Sequence, residues 1–271
     1  FSECSDDIGT ICQKLWNADT NSLRYGQDFQ LNLQTKLPYN NKRDLANQKL
    51  FTRVDETKLT GPTWRAFKAL LNNYDRDTGS TEVLTSTERS ENNQFLTSIM
   101  ATKMMKELHK YLSAKGLAPA SESSFKYQLK VMWLYFYRRK AYRDSSGIEH
   151  VFLGELKRNQ NGVTQVSGFH NWLQFYLEEK NNNLVNYYGY YKVKKTTAPT
   201  AVKLQMSWHN NLKPVTGFFL GTSPEFEIAI YTACFKVRPD QKCSCYINGQ
   251  KITIQTYTMA TKYVGSAFPI Q

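Results

Sequence analysis

The stretch His150-Val151-Phe152-Leu153-Gly154-Glu155-Leu156-Lys157-Arg158-Asn159-Gln160-Asn161-Gly162-Val163-Thr164-Gln165-Val166 marks the point where the chain changes character. Residues 150–156 and 163–166 are short β-type runs, and the polar Asn159-Gln160-Asn161-Gly162 between them is turn-forming, so the segment reads as a β-hairpin. Upstream of Gly147 the signal is helical. Between residues 93 and 116, Phe95, Ile99, Met104, Leu108 and Leu112 recur at helical spacing and Gly116 supplies the stop. A second helix is expected over 125–139, with Trp133, Leu134, Phe136 and Tyr137 facing a core, and a shorter one over 64–72. Residues 75–93 are polar, contain Gly79 and many Ser and Thr, and read as a long surface loop.

Downstream of the hairpin, strands are expected at 187–193, 202–208, 245–247 and 252–257, with Asn248-Gly249 turning the last two into a second hairpin. Two helices interrupt them. One follows Gly168 and carries Trp172, Phe175, Tyr176 and Leu177; the other opens at Ser223-Pro224-Glu225, where Ser caps, Pro suits the first turn and Glu favours the positive end of the dipole. No internal repeat is present. The sum is an α+β protein of one domain, with a mainly helical N-terminal lobe (1–146) packed on a lobe of antiparallel sheets with helices (147–271).

The 271 residues suffice for a sizeable core, and 41% hydrophobic with 21% charged residues excludes wholesale disorder or a fibrous architecture. Lys and Arg outnumber Asp and Glu by 35 to 23, and 14% of the chain is aromatic. Positive charge neutralises phosphates and rings stack on unpaired bases, so a single-stranded nucleic acid suits this surface. A basic glycan-binding or membrane-facing protein would share the charge, and only local sequence separates them.

No apolar run approaches the roughly 20 residues that cross a bilayer, so no stable membrane insertion is expected. The chain opens on Phe1 rather than Met, which leaves an initiator, a signal peptide or a further domain open upstream; a secreted or endomembrane location is expected ahead of a cytoplasmic one. Cys4, Cys12, Cys234, Cys243 and Cys245 lack paired CxxC spacing, which argues against a zinc ribbon. Cys4 with Cys12, or Cys234 with Cys243, could pair in an oxidising compartment; buried free thiols are the alternative.

Histidine titrates near neutrality, so each of the four is a candidate acid or base. His109 lies mid-helix among charges and reads as a solvated residue, while His209, after Trp208 at a strand end, reads as structural. His150 and His170 stand in denser surroundings: Glu149-His150-Val151-Phe152-Leu153-Gly154-Glu155, then Ser167-Gly168-Phe169-His170-Asn171-Trp172. These stretches resemble the EndoU family, the poly(U)-specific endoribonucleases of animals, distantly related to the coronaviral uridylate-specific endoribonuclease. Gln174-Phe175-Tyr176-Leu177-Glu178-Glu179-Lys180 and Gly221-Thr222-Ser223-Pro224-Glu225-Phe226-Glu227 are similar to the same pattern, as are Leu15-Trp16-Asn17-Ala18-Asp19 and Tyr39-Asn40 less distinctively. Several separated segments in one order are far more specific than a lone His-Asn-Trp.

The resemblance implies an EndoU-like fold and a monomer that cuts uridine-containing single-stranded RNA with His150, His170 and Lys213. Attack by the RNA's own 2′-hydroxyl needs a base, an acid for the departing 5′-oxygen and a cation beside the phosphorane. The coronaviral analogy makes His170 the base and His150 the acid, with a 2′,3′-cyclic phosphate and a 5′-hydroxyl as products. Ser223, Thr256, Tyr257 and Trp172 are the implied substrate-binding residues; a helix cap and ordinary core or strand aromatics are the competing readings. The resemblance further implies stimulation by manganese or calcium, with Glu149 and Glu155 the matching carboxylates. In an extended strand two residues six apart are about 20 Å apart, so this pair could share an ion only across a bend, and Glu149 could instead orient the His150 ring. The competing functions are a non-catalytic basic RNA-binding module, a metal-dependent phosphoesterase, whose histidine and aspartate cluster is missing from the sequence, and a secreted glycan-binding protein.

Overall fold

The computed structural model describes residues 8–181, 184–195 and 197–271. The first half holds α1 (Ile8–Ala18), β1 (Phe29–Leu31), β2 (Phe51–Val54), α2 (Pro62–Ala69), α3 (Ser86–Met100), α4 (Lys103–Ala114) and α5 (Glu122–Leu134). The second half holds β3 (Glu155–Arg158), β4 (Thr164–Ser167), α6 (Trp172–Lys180), β5 (Val185–Lys194), β6 (Thr200–Trp208), β7 (Asn211–Leu220), α7 (Pro224–Val237), β8 (Lys242–Ile247), β9 (Gln250–Met259) and β10 (Tyr263–Ile270). Among the described residues the strands pair antiparallel in four small sheets: β1-β2, β3-β4, β5-β6-β7 and β8-β9-β10. The architecture is the expected α+β one.

Local chemistry explains where the elements depart from their expected limits. The apolar stripe over 93–116 belongs to two helices, because Thr102 is extended and its hydroxyl accepts from the Met105 amide, starting α4 afresh. The loop read over 75–93 is shorter, since Thr85 and Glu88 form a reciprocal capping box at the start of α3. What remains of that loop is tied down: the Leu156 amide donates to the Arg76 carbonyl at 2.6 Å, and Thr78 donates back to Leu156 at 3.0 Å. Helix α5 starts at Glu122, capped by Ser121, and ends at Leu134 rather than running to residue 139.

The hairpin β3-β4 is present in the expected place, with Glu155 opposite Ser167 and Arg158 opposite Thr164. Its first expected strand is not all strand. Glu149–Leu153 form a wide helical turn, closed by the Gly154 amide on the Glu149 carbonyl at 2.8 Å, and the strand begins only at Glu155. All five residues of that turn are buried, so the alternation of a half-exposed strand has nothing to act on.

A single apolar core runs from Ile8 to Ala267 through both halves. At its centre Trp172 packs on Phe29, Phe51 and Trp64; truncating such a ring costs about 3–5 kcal/mol. Cys234 and Cys243 are bonded to each other, one of the expected pairs. Cys12 is bonded to Cys245, not to Cys4, which lies outside the described residues; the bridge ties α1 to β8 across 233 positions.

Candidate active site

Backbone contacts fix the two motif histidines relative to each other. The Phe169 amide donates to the His150 carbonyl at 2.9 Å, and the His170 amide to the Val151 carbonyl at 2.6 Å. Gly168, at φ +64°, lies so close under this crossing that a Cβ there would stand 1.8 Å from the His150 carbonyl oxygen. Gly154, at φ +90°, would place a Cβ 2.4 Å from the Phe169 ring. The glycines of both motifs are therefore required by close approach as well as by left-handed backbone. Lys213 comes from β7, opposite Met206 next to an irregularity in the β6-β7 register, and its ammonium donates to the Val166 carbonyl on β4 at 3.4 Å.

The three groups meet in one buried place. His150, His170 and Lys213 are 6%, 7% and 8% exposed. Burial pushes Lys213 down to about 8, against an opposing pull from Glu155. Its charge in turn lowers both imidazoles, and His150 lowers His170.

The two rings are held by different partners. His150 Nδ1 lies 2.7 Å from Glu155 Oε2. Glu155 also accepts from the Ser145 hydroxyl and faces the Arg139 guanidinium at 3.5 Å. Burial by itself raises the Glu155 carboxyl, but His150, Arg139 and Ser145 together hold it below the usual carboxylate range. Burial lowers His150 and the Glu155 carboxylate partly restores it. His170 Nδ1 instead faces the Gly217 carbonyl at 3.0 Å. A carbonyl can only accept, so Nδ1 carries the hydrogen and the Nε2 lone pair is free for a proton. The Thr216 hydroxyl donates to the Phe169 carbonyl and sits 3.2 Å from the same Nδ1, where it can also accept. Burial, then Lys213 and His150, place His170 well below the ordinary histidine value. Its ring stacks on Phe268 at 4.7 Å between centroids. Among the described residues neither Nε2 has a hydrogen-bond partner, so both remain available to a bound group.

Of the expected substrate-binding residues, Tyr257 is half-exposed and packs on Phe268, at one remove from His170. The other three are placed elsewhere. Trp172 is fully buried, with its indole N–H donating to the Thr222 carbonyl, and belongs to the core. Ser223 is fully buried with its hydroxyl accepting the Phe226 amide as the cap of α7. Thr256 points to the inward face of β9 and is 0% exposed. All three are buried.

The wide turn corrects the expected separation of Glu149 and Glu155: they are near enough for Glu155, after burial, to raise Glu149 well above the carboxylate range. They still do not fit a shared cation site. Glu155 has both oxygens engaged by Ser145, His150 and Arg139, and among the described residues no group of three acidic, histidine or cysteine side chains could hold a metal ion. The residue that orients the His150 ring is Glu155 rather than Glu149. His209 meets the Arg76 guanidinium at 3.0 Å beside a cavity of about 310 Å³ that holds none of the three catalytic candidates. His109 is not simply solvated: it stacks on Phe125 at 4.6 Å, and its Nε2 meets the Pro119 carbonyl at 2.7 Å.

Arg139, Ser145, Thr216, Gly217 and Phe268 escaped the reading of the sequence. The last three lie on strands β7 and β10, neither of which was expected, and Pro269 at the end of β10 obscures its strand pattern.

A family model described as Endoribonuclease XendoU matches residues 7–269. The uridylate-specific endoribonuclease B of Danio rerio is 39% identical over 100% of this chain and 98% of its own length. The poly(U)-specific endoribonuclease-A of Xenopus laevis is 38% identical over 99% of this chain and 94% of its own. The solved structure of XendoU, described as a splicing-independent snoRNA-processing endoribonuclease, superposes with a TM-score of 0.82 at 37% identity, covering 97% of this chain and 96% of that one.

Proposed function

Because the chain belongs to the XendoU endoribonuclease family, we propose that it cuts single-stranded RNA at uridylates through the RNA's own 2′-hydroxyl. The observation that carries this reading is the unequal anchoring of two imidazoles beside one buried lysine. His170, with its proton fixed on Nδ1 and a depressed pKa, takes the 2′-hydroxyl proton on Nε2. The 2′-oxygen bonds to phosphorus, and the bond from phosphorus to the 5′-oxygen breaks. His150, whose imidazolium is favoured by Glu155, gives its proton to that leaving oxygen. Lys213 offsets the charge that grows on the phosphorane. The products are a 2′,3′-cyclic phosphate and a 5′-hydroxyl. Tyr257 is the substrate-facing ring of the expected set.

Stimulation by manganese or calcium is retained as a proposal that involves neither Glu149 nor Glu155 as a joint ligand and no step above; dialysis against chelator followed by back-titration tests it. Among the described residues no helix is long and apolar enough to cross a membrane. The two disulfides favour an oxidising compartment, in keeping with a secreted or endomembrane protein.

The deciding experiment compares an oligonucleotide carrying one uridine with the same strand carrying 2′-deoxyuridine. Self-attack predicts cleavage of the first, a cyclic phosphate end on the product and no cleavage of the second. Cutting of the deoxy strand would overturn the mechanism.

A further inference from the structure

The register of the β9-β10 hairpin carries the face that holds Phe268 away from the histidines. Gln255 pairs with Phe268, Tyr257 with Ser266 and Met259 with Tyr263, and the irregularity at Gly265 absorbs the odd residue. Side chains alternate along a strand, so Tyr257, Met259, Tyr263 and Phe268 share one face. The opposite face, with Ile254, Thr256, Val264 and Ala267, is buried. Phe268 is the ring stacked on His170. Tyr263 lies earlier on β10, opposite Met259, which is four residues from the Gln255 that faces Phe268, about 13 Å at ~3.3 Å per residue.

More rings continue from there. Tyr263 packs on Tyr137 at 5.6 Å, and the Lys262 ammonium stands 5.1 Å over the Tyr263 ring. At the end of α5, Tyr135 and Tyr127 meet edge to face at 6.2 Å with their hydroxyls 3.4 Å apart. Both are exposed, and Arg138, three residues after Tyr135, is exposed as well. Arg139 ties this surface to the site, donating to the Gly265 carbonyl and the Tyr137 hydroxyl while its guanidinium faces Glu155. A scattered exposed tyrosine needs no explanation. Tyr127, Tyr135 and Tyr263 form one group, since Tyr263 acts electrostatically on the Tyr135 hydroxyl, and with Lys262 over the Tyr263 ring they have the composition of a stacking platform for unpaired bases.

We propose that Tyr263, Tyr135 and Tyr127, with Lys262 and Arg138, form a track for the single-stranded RNA that flanks the cut, a proposal that rests on the endoribonuclease reading above. Bases stack on the tyrosines and the two cations take phosphates. The track sets how a long strand is held, while chemistry stays with His150, His170 and Lys213.

The test uses the whole protein and a strand of about 15 nucleotides, within the span of known single-strand platforms, carrying 2′-deoxyuridine at the cut site. Its binding is followed by fluorescence polarisation, and cleavage of the all-ribose strand and of a uridine-containing trinucleotide is measured in parallel. Replacing Tyr127 and Tyr135 by Ala together should weaken binding of the long strand by about tenfold or more. Tyr127→Phe with Tyr135→Phe should restore it, since the rings remain. Lys262→Ala should lower the slope of log affinity against log salt by about one. Trinucleotide cleavage should stay at the wild-type rate in all of these variants. Unchanged long-strand affinity in the double Ala variant would overturn the track and leave the endoribonuclease reading standing. Tyrosine-dependent binding without cleavage of any ribose strand would do the reverse.

Discussion

The surroundings of His150 and His170 differ in one chemical respect, the group that holds Nδ1. Around His150 a carboxylate, a hydroxyl and a guanidinium form an ionic cluster. Around His170 a carbonyl, a threonine hydroxyl and the Phe268 ring carry no charge at all. Both rings are equally hidden from water, so burial by itself does not separate them. In the proposed mechanism, one pocket makes an acid and a base from the same residue type by changing the partner of the far nitrogen.

The strongest way to break this comparison is to remove either ring. His150→Ala and His170→Ala should each lower kcat by about 10²–10⁴-fold in a cleavage assay, and the double variant should be little worse than the more damaged single. Substantial activity in either would show that the rings do not act as a pair. Next comes Lys213→Met, which removes the charge both rings feel and should cost about 10²–10³-fold. In the native protein that ammonium, with a pKa of about 8, loses its proton as pH rises through that value. The charge is present below and absent above, so kcat/KM should fall further above pH about 8. Lys213→Arg should lack that fall, because a guanidinium does not titrate there.

Glu155→Gln sharpens the comparison by making the His150 surroundings resemble those of His170. Loss of the carboxylate should lower the His150 pKa further, and with it the protonated fraction and the rate at neutral pH. Both histidines are held below the ordinary value of 6.5, so the native optimum is expected on the acid side of neutrality. In the proposed mechanism the falling limb belongs to His150, which acts protonated, and in Glu155→Gln it should move to still lower pH. A limb that stays in place would remove Glu155 from the acid's support. The smallest effect is expected from Thr216→Val, which leaves the Gly217 carbonyl on Nδ1. It should cost about 1 kcal/mol, less than tenfold in rate, and leave the pH profile unmoved.

The fold class and the helices at Trp172 and Ser223 were legible because periodicity and cap chemistry are local. His150, His170 and Lys213 were singled out through resemblance to the EndoU family, and the fold brings them into one buried place. The supporting groups were not: Gly217 acts through a main-chain carbonyl, which every residue owns, and Arg139 reaches Glu155 only after the chain has folded back. The segment at 149–153 misled because five buried residues in a row carry no period. Ser223 and Trp172 are ambiguous in another way, since the same sequence that fits a substrate site also fits a cap and a core ring.

The Cys12–Cys245 bridge encloses nearly the entire chain, with His150, His170 and Lys213 inside the closed span. A protease that clips one exposed turn between those two cysteines therefore separates nothing. Without a reductant the nicked molecule should migrate as one species and keep its site assembled, and only a thiol should release two fragments. The staple thereby turns a cut in a surface loop from a loss of half the molecule into a local break.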